Sequence, residues 1–278
     1  MHMMFARVCL LFCVMAASSG LAAQPLPVQV DVSGNVATAT IGTGPYPLAE
    51  LTLEFDDVSD LNPGSLGLSA QLLTPAQVAA LLPRLPSAQA SQAPSQLPLL
   101  VTVTPPPSGG LAFRRLVHVE LHTHALAYTA DSNLRLFKAP EGGDFRDITD
   151  DIAPGSVRAR GTTGGFSQFI VIHDLRPTAT VVAAKLSRLQ TLVAQLPASE
   201  AAPLAAMLSS VQSALANADY TTATVALDGF REQVSARAGH GIAQTWNAGM
   251  SEGNPAGELL AGAATLRFSI DYQRLYAP

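Results

Sequence analysis

The spacing of apolar residues along this chain changes once, near Pro177. Before that point apolar and polar residues alternate, the period of a strand with one buried face; after it they recur every three or four residues, the period of a helix. Val28, Val30 and Val32 are separated by Gln29 and Asp31, and a second alternating run, Val36 to Ile41, follows Ser33-Gly34-Asn35. The pattern predicts a tight hairpin, with Gly34 and Asn35 expected to supply positive φ angles at the turn. Further runs over residues 51–55, 66–73, 99–104, 116–124, 134–138, 156–161 and 166–173 predict strands. Strands at such intervals, with no long helix between them, predict two packed antiparallel sheets in a β-sandwich. One short helix is expected within this part, capped by Thr74, opened by Pro75 and carrying residues 76–82. The Pro/Ser/Gln/Ala stretch 83–98 has little to bury and reads as an exposed loop or linker.

Beyond Pro177 the stripe Val182, Leu186, Leu189, Val193, Leu196 predicts a helix that stops at Pro197. Ser199 is expected to cap a second helix carrying Leu204, Leu208, Val211 and Leu215. A third, starting at Asp219, presents Ala223, Leu227, Phe230 and Val234 and ends before Gly239. Asn254-Pro255 has the cap and first-turn residues of a fourth, with Leu259, Ala263, Leu266 and Ile270 on one face. Stripes that face inward make an antiparallel bundle. Trp246, the one tryptophan, is expected to pack between the third and fourth helices.

The first 23 residues have the layout of an export leader: Arg7, an apolar run over residues 8–17, and a small-residue exit through Ser18, Ser19, Gly20 and Ala23. The run is too short for a membrane span. Both cysteines, Cys9 and Cys13, lie inside it, without the Leu-small-small triplet that lipoprotein processing requires. The mature chain is therefore expected to act without a disulfide, a thiolate metal site or a cysteine nucleophile. The formal charge of −5 becomes more negative by one when Arg7 is removed, which disfavours nucleic acid and anionic lipid as partners. No later stretch has the length of a membrane span, so the expected location is secreted or periplasmic.

Two resemblances extend this reading. Ala223-x3-Leu227-Asp-Gly-Phe230-x3-Val234, continuing to Gly239 and Ile242, resembles the FIMAH helical module found in secreted bacterial proteins, over about residues 182–270. That resemblance implies an accessory domain binding surfaces or glycans, and it carries over no catalytic residue. The segments Gly110 to Phe113, Val117 to Leu121, Leu134 to Phe137, Phe145 to Ile148 and Phe166 to Phe169 resemble the second half of a ZU-five β-sandwich. Related sandwiches cleave themselves at a His-x-Ser turn. Here Gly165 stands two residues before Ser167, so the base is missing and self-cleavage is not expected. Phe166 and Phe169 are expected as core anchors of the last strand.

Candidate chemistry concentrates in Val117-His-Val-Glu-Leu-His-Thr-His124, where alternation places His118, Glu120, His122 and His124 on one strand face. Imidazoles and a carboxylate suit zinc, copper, nickel or iron(II), although at about 3.3 Å per residue only neighbours such as His122 and His124 can share one ion. The competing reading is a solvated sheet face opposite a core of Val117, Val119, Leu121 and Thr123. Asp56, Asp57 and Asp60 in one loop, and Asp144, Asp147, Asp150 and Asp151 in another, are oxygen donors that suit calcium, but Asp also favours turns. Tyr46, Tyr128, Trp246, Tyr272 and Tyr276 are candidates for stacking on sugar rings. No nucleophile elbow or phosphate loop is present.

Together these features predict an α+β chain of two domains: leader 1–23, an N-terminal antiparallel β-sandwich over 24–177 with the 83–98 loop or linker, and a C-terminal antiparallel helical bundle over 178–278. The expected function is an exported, non-enzymatic binding or cell-envelope protein without a cofactor, its partner a glycan or cell-surface component. The alternative is a metal-dependent hydrolase or oxygenase on the His-rich strand.

Overall fold

Residues 23–249 and 253–276 are described in the computed structural model, so the expected leader falls almost wholly outside the described residues. The strands are β1 (Gln24–Leu26), β2 (Val28–Ser33), β3 (Val36–Ile41), β4 (Ala49–Ser59), β5 (Leu68–Leu72), β6 (Ser91–Gln92), β7 (Leu99–Val103), β8 (Ala112–Thr123), β9 (Leu134–Ala139), β10 (Arg146–Asp147), β11 (Thr149–Ala153), β12 (Val157–Thr163), β13 (Gln168–Asp174) and β14 (Thr245–Asn247). The helices are α1 (Pro63–Leu66), α2 (Pro75–Leu81), α3 (Thr178–Ala194), α4 (Ala198–Ala216), α5 (Tyr220–Arg237) and α6 (Pro255–Tyr276).

Two antiparallel sheets make up the N-terminal part. One runs β1-β5-β7-β13-β9-β10 with β6 added to β13; the other runs β11-β12-β8-β4-β3-β2 with β14 added to β8. Leu51, Leu53 and Phe55 of β4 and Val117, Val119 and Leu121 of β8 meet Leu99, Val101, Phe169 and Val171 of the other sheet in one buried core. The outer face of the first sheet is covered by α2, whose cap is the expected Thr74, through Leu81, Phe137, Phe145, Ile170 and Ile172. The β2–β3 hairpin forms in the expected register, Ser33 opposite Val36. Gly34 alone takes positive φ there (+60°), as in a turn whose first central residue must be glycine; Asn35 instead donates its Nδ2 proton to the Phe55 carbonyl, 2.5 Å.

The C-terminal part is helical, and α3 to α6 share a second core. Ala223, Leu227, Phe230, Val234, Leu259, Ala263, Leu266 and Ile270 are all fully buried in it, so the 3.6-residue stripes read from the sequence are the faces that pack.

The two parts are joined at a kink in β8. Arg115 has φ of +63°, and the register against β4 shifts between Phe55 and Asp57, a bulge that turns the strand. Consecutive residues are thereby buried on opposite sides: Leu116 enters the helical core and Val117 the core between the sheets. The kinked backbone is held from the C-terminal part. The Arg115 amide donates to the Gln244 carbonyl, 2.8 Å, and the Arg115 carbonyl accepts from Asn254 Nδ2, 2.7 Å. Asn254 also caps α6 by accepting from the Gly257 amide, 2.8 Å. No side chain fits at this junction: a Cβ on Gly257 would run into the Arg115 carbonyl, and one on Gly164 would lie 2.6 Å from the Glu258 amide.

Several expectations are corrected. Trp246 does not pack between helices; it lies in β14 opposite Phe113, stacks on that ring at 5.1 Å, and meets Phe166 edge to face. Segment 83–98, expected as an exposed loop, buries Leu85 and Leu97 and pairs Ser91 and Gln92 with β13; two leucines spaced too widely to form a stripe carry it. The run 66–73 is split, because the Asn62 cap and Pro63 start a helical turn that takes Leu66. Ser199 is not the cap of α4, which begins one residue earlier after Pro197.

Candidate functional site

Alternation along β8 places His118, Glu120 and His122 on its outer face, with Val117, Val119, Leu121 and Thr123 buried beneath, and His124 follows directly after the strand. Neighbouring strands supply partners at the same level: Glu54 and Thr162 flank His118, Thr52 and Arg160 flank Glu120, and Glu50 and Arg158 flank His122. Glu120 is gripped by Arg158 and by Arg160 Nε at 2.6 Å. Burial alone would raise its pKa, but these hydrogen bonds hold it below the usual carboxylate value. His118 Nε2 lies 3.4 Å from Asp56, and that hydrogen bond raises its pKa despite partial burial. Asp150, raised by burial, accepts from the Thr162 hydroxyl.

His122 and His124 are brought together, with ring centroids 4.7 Å apart. His122 Nδ1 is 3.7 Å from Glu50, and its buried Nε2 has no partner among the described residues; His124 Nδ1 meets the Ser156 hydroxyl at 2.6 Å. The four candidates are thus divided between three separate local partnerships. Among the described residues no three His, Cys, Asp or Glu side chains converge on a point that could hold a metal ion. Most of the aspartates expected in loops lie in strands instead, Asp56 and Asp57 in β4, Asp147 in β10, Asp150 and Asp151 in β11; among them Asp57 is answered by Arg114, Asp147 by Lys185 and Asp151 by Arg160.

Where α6 meets the edges of the sheets lies a seam of buried charge. Glu258, in the first turn of α6, accepts from Arg146 Nη2 at 2.6 Å and Arg188 Nη2 at 3.1 Å, with Lys138 Nζ at 3.6 Å. Burial opposes its ionisation, yet Lys138 and the two guanidiniums hold its pKa at about 2. Lys138 is buried and donates to the Thr163 hydroxyl, 2.5 Å; burial pushes its pKa down to about 7 against the pull of Glu258. Lys185 continues the seam, 2.7 Å from Asp147 and donating to the Thr265 carbonyl at 3.0 Å.

A separate cleft of about 280 Å³ lies between the end of α6 and the end of β13, lined by Asn133, Arg135, Asp174, Arg176, Tyr272 and Tyr276 among others. Tyr272 and Tyr276 sit one helical turn apart with ring centroids at 5.1 Å. The Tyr272 hydroxyl donates to the Asp131 carbonyl, 2.8 Å, which fixes its ring, whereas Tyr276 is 46% exposed. The Arg135 guanidinium lies 4.3 Å from the Tyr272 ring centroid and 5.1 Å from that of Phe268. Leu175, exposed, forms part of the rim. Of the aromatic candidates, Tyr272 and Tyr276 come together here; Tyr46 stands alone and exposed, and Tyr128 and Trp246 pack against the sheet core. Arg135 escaped the sequence reading, although an arginine and a lysine inside the otherwise apolar β9 run Leu-Arg-Leu-Phe-Lys-Ala mark buried cations.

Among the described residues no helix is long and apolar enough to cross a membrane. No curated protein and no solved structure matches this chain. A family model described as a family of unknown function (DUF6689) matches residues 10–274. That match takes in both sheets, the charged seam and nearly all of α6, and the chain belongs to this family.

Proposed function

We propose that this chain is an exported, non-enzymatic binding protein, secreted or periplasmic, and that the cleft between α6 and the end of β13 is where it takes a saccharide. We read the two sheets as a β-sandwich and the four C-terminal helices as an antiparallel bundle of the FIMAH-like kind. The observation that carries the reading is the Tyr272–Tyr276 pair, two rings 5.1 Å apart in a cleft also lined by Asn133, Asp174, Arg176 and Ser269. Sugar rings present apolar C–H faces and convergent hydroxyls, which such a mixture of aromatic and polar groups matches. The test is a glycan array probed with the purified chain and with Tyr276→Ala, whose exposed ring supports no hydrogen bond in the fold. Binding that falls about tenfold in the variant, about 1.4 kcal/mol, supports the reading; a blank array, or binding indifferent to the substitution, overturns it.

One observation favours the metal-dependent alternative, the buried and partnerless Nε2 of His122 beside the His124 ring. Metal analysis of the purified protein and of His122→Ala separates the two. A full equivalent of zinc lost in the variant favours the enzyme; metal at trace level in both removes it.

A further inference from the structure

Arg135 is only 7% exposed, and a guanidinium so buried requires compensation, since an unpaired charge in the interior is costly. Its Nη1 donates to the carbonyls of Ser132 and Leu134, both at 2.7 Å, and two aromatic rings cover its plane. Its remaining edge, Nε with Nη2, has no acceptor among the described residues. Elsewhere in the molecule that same edge takes a carboxylate side-on. Arg176 grips Asp174 with Nε at 2.9 Å and Nη2 at 2.6 Å, and Arg237 grips Glu200 at 2.9 and 2.5 Å. The carboxylates near Arg135 are already engaged, Asp174 by Arg176 and Asp147 by Lys185 at 2.7 Å. The cleft therefore contains one cation more than it has carboxylates to answer, and that cation presents the fork that matches a carboxylate bidentately.

We propose that the cleft is specific for acidic saccharides, with a uronic-acid carboxylate taken by the Nε–Nη2 edge of Arg135 and the pyranose ring laid against Tyr276. This inference rests on the saccharide reading of the same cleft and adds the charge of the ligand. Asn133, whose Oδ1 meets His173 Nδ1 at 2.6 Å, has its side-chain amide Nδ2 left for a ring hydroxyl. Arg176, neutralised by Asp174, contributes shape rather than charge.

The experiment uses the full chain on an array of matched pairs, each uronic-acid oligosaccharide beside the neutral counterpart that carries a C6 alcohol. The acidic member is expected to bind at least tenfold tighter, and raising sodium chloride from 50 to 500 mM should shrink that ratio while leaving neutral binding unchanged. Arg135→Lys keeps the charge and loses the fork, so it should reduce the ratio severalfold; Tyr276→Ala should weaken both members alike. Equal or tighter binding of the neutral members overturns this inference and leaves the saccharide reading standing, and a blank array removes both. Should Arg135→Lys fail to fold, as judged by Trp246 emission, the wild-type ratio and its salt dependence still decide.

Discussion

Lys138→Met is a substitution whose effect on stability can be worked out from the charged seam. The Lys138 ammonium is 4% exposed and shares its surroundings with Arg146 and Arg188, and its pKa is about 7 against an ordinary 10.5. Below pH 7 the folded and unfolded chains both carry the proton, and above 10.5 neither does. Between these limits the unfolded chain binds a proton that the folded chain has released, so stability rises with pH by about 1.4 kcal/mol per unit. From pH 7 to 9 that amounts to about 2–3 kcal/mol from this one residue. Methionine has a similar length and no charge, and Glu258 keeps both guanidiniums when Lys138 is gone. Urea unfolding of both proteins, followed by Trp246 emission at intervals from pH 6 to 9, isolates the residue because all other titrations cancel in the difference. The variant should be the more stable protein at pH 6, and its advantage should shrink by about 2–3 kcal/mol by pH 9. Parallel stability curves would show that Lys138 is not held neutral in the folded state.

Glu258 is predicted to give a slope of the same sign in a lower pH window. Its carboxylate, held at about 2 against an ordinary 4.5, stabilises the fold fully above pH 4.5, and that stability is lost as pH falls toward 2; Glu258→Gln should flatten acid unfolding and cost about 3–5 kcal/mol at pH 7 by leaving buried cations uncompensated. Gly257→Ala should lower stability by about 3 kcal/mol or more, because its methyl would collide with the Arg115 carbonyl. Gly229→Ala, in α5 with open space around the added methyl, should raise stability by about 0.5–1 kcal/mol; thermal unfolding of the pair reads both signs. A fragment of residues 24–177 should lack a sharp unfolding transition, since Leu116 and the Arg115 backbone lose their partners, and a cooperative melt in that fragment would contradict the described junction.

Period-two alternation was legible wherever one strand face meets the core and the other meets water, as in β2, β3 and β8. The helical stripes were legible for the same reason at period 3.6, and Asn254-Pro255 marked the start of α6 because cap chemistry is local. What stayed hidden depends on partners distant in sequence. The Thr-Trp-Asn of β14 has no alternation of its own and becomes a strand only because β8 extends past the end of β12. Lys138, Arg146, Arg188 and Glu258 come from four separate elements; the apolar run around Lys138 hints at burial, but Arg146, Arg188 and Glu258 each alone read as solvated surface charges. Alternation puts His118, Glu120 and His122 on the outer face of β8, with His124 past its end, whereas the cross-strand neighbours that engage His118 and Glu120 depend on register, which the pattern does not specify.

The Arg115 kink also bears on the order of events in time. A left-handed arginine costs about 1–2 kcal/mol, and the groups that hold it, the Gln244 carbonyl and the Asn254 amide, are synthesised long after it, Asn254 139 residues later. During synthesis the central strand of the second sheet waits, incomplete, for a clasp made of later residues. A chain read out from its amino terminus thus keeps this strand unfinished until the start of α6 has been made.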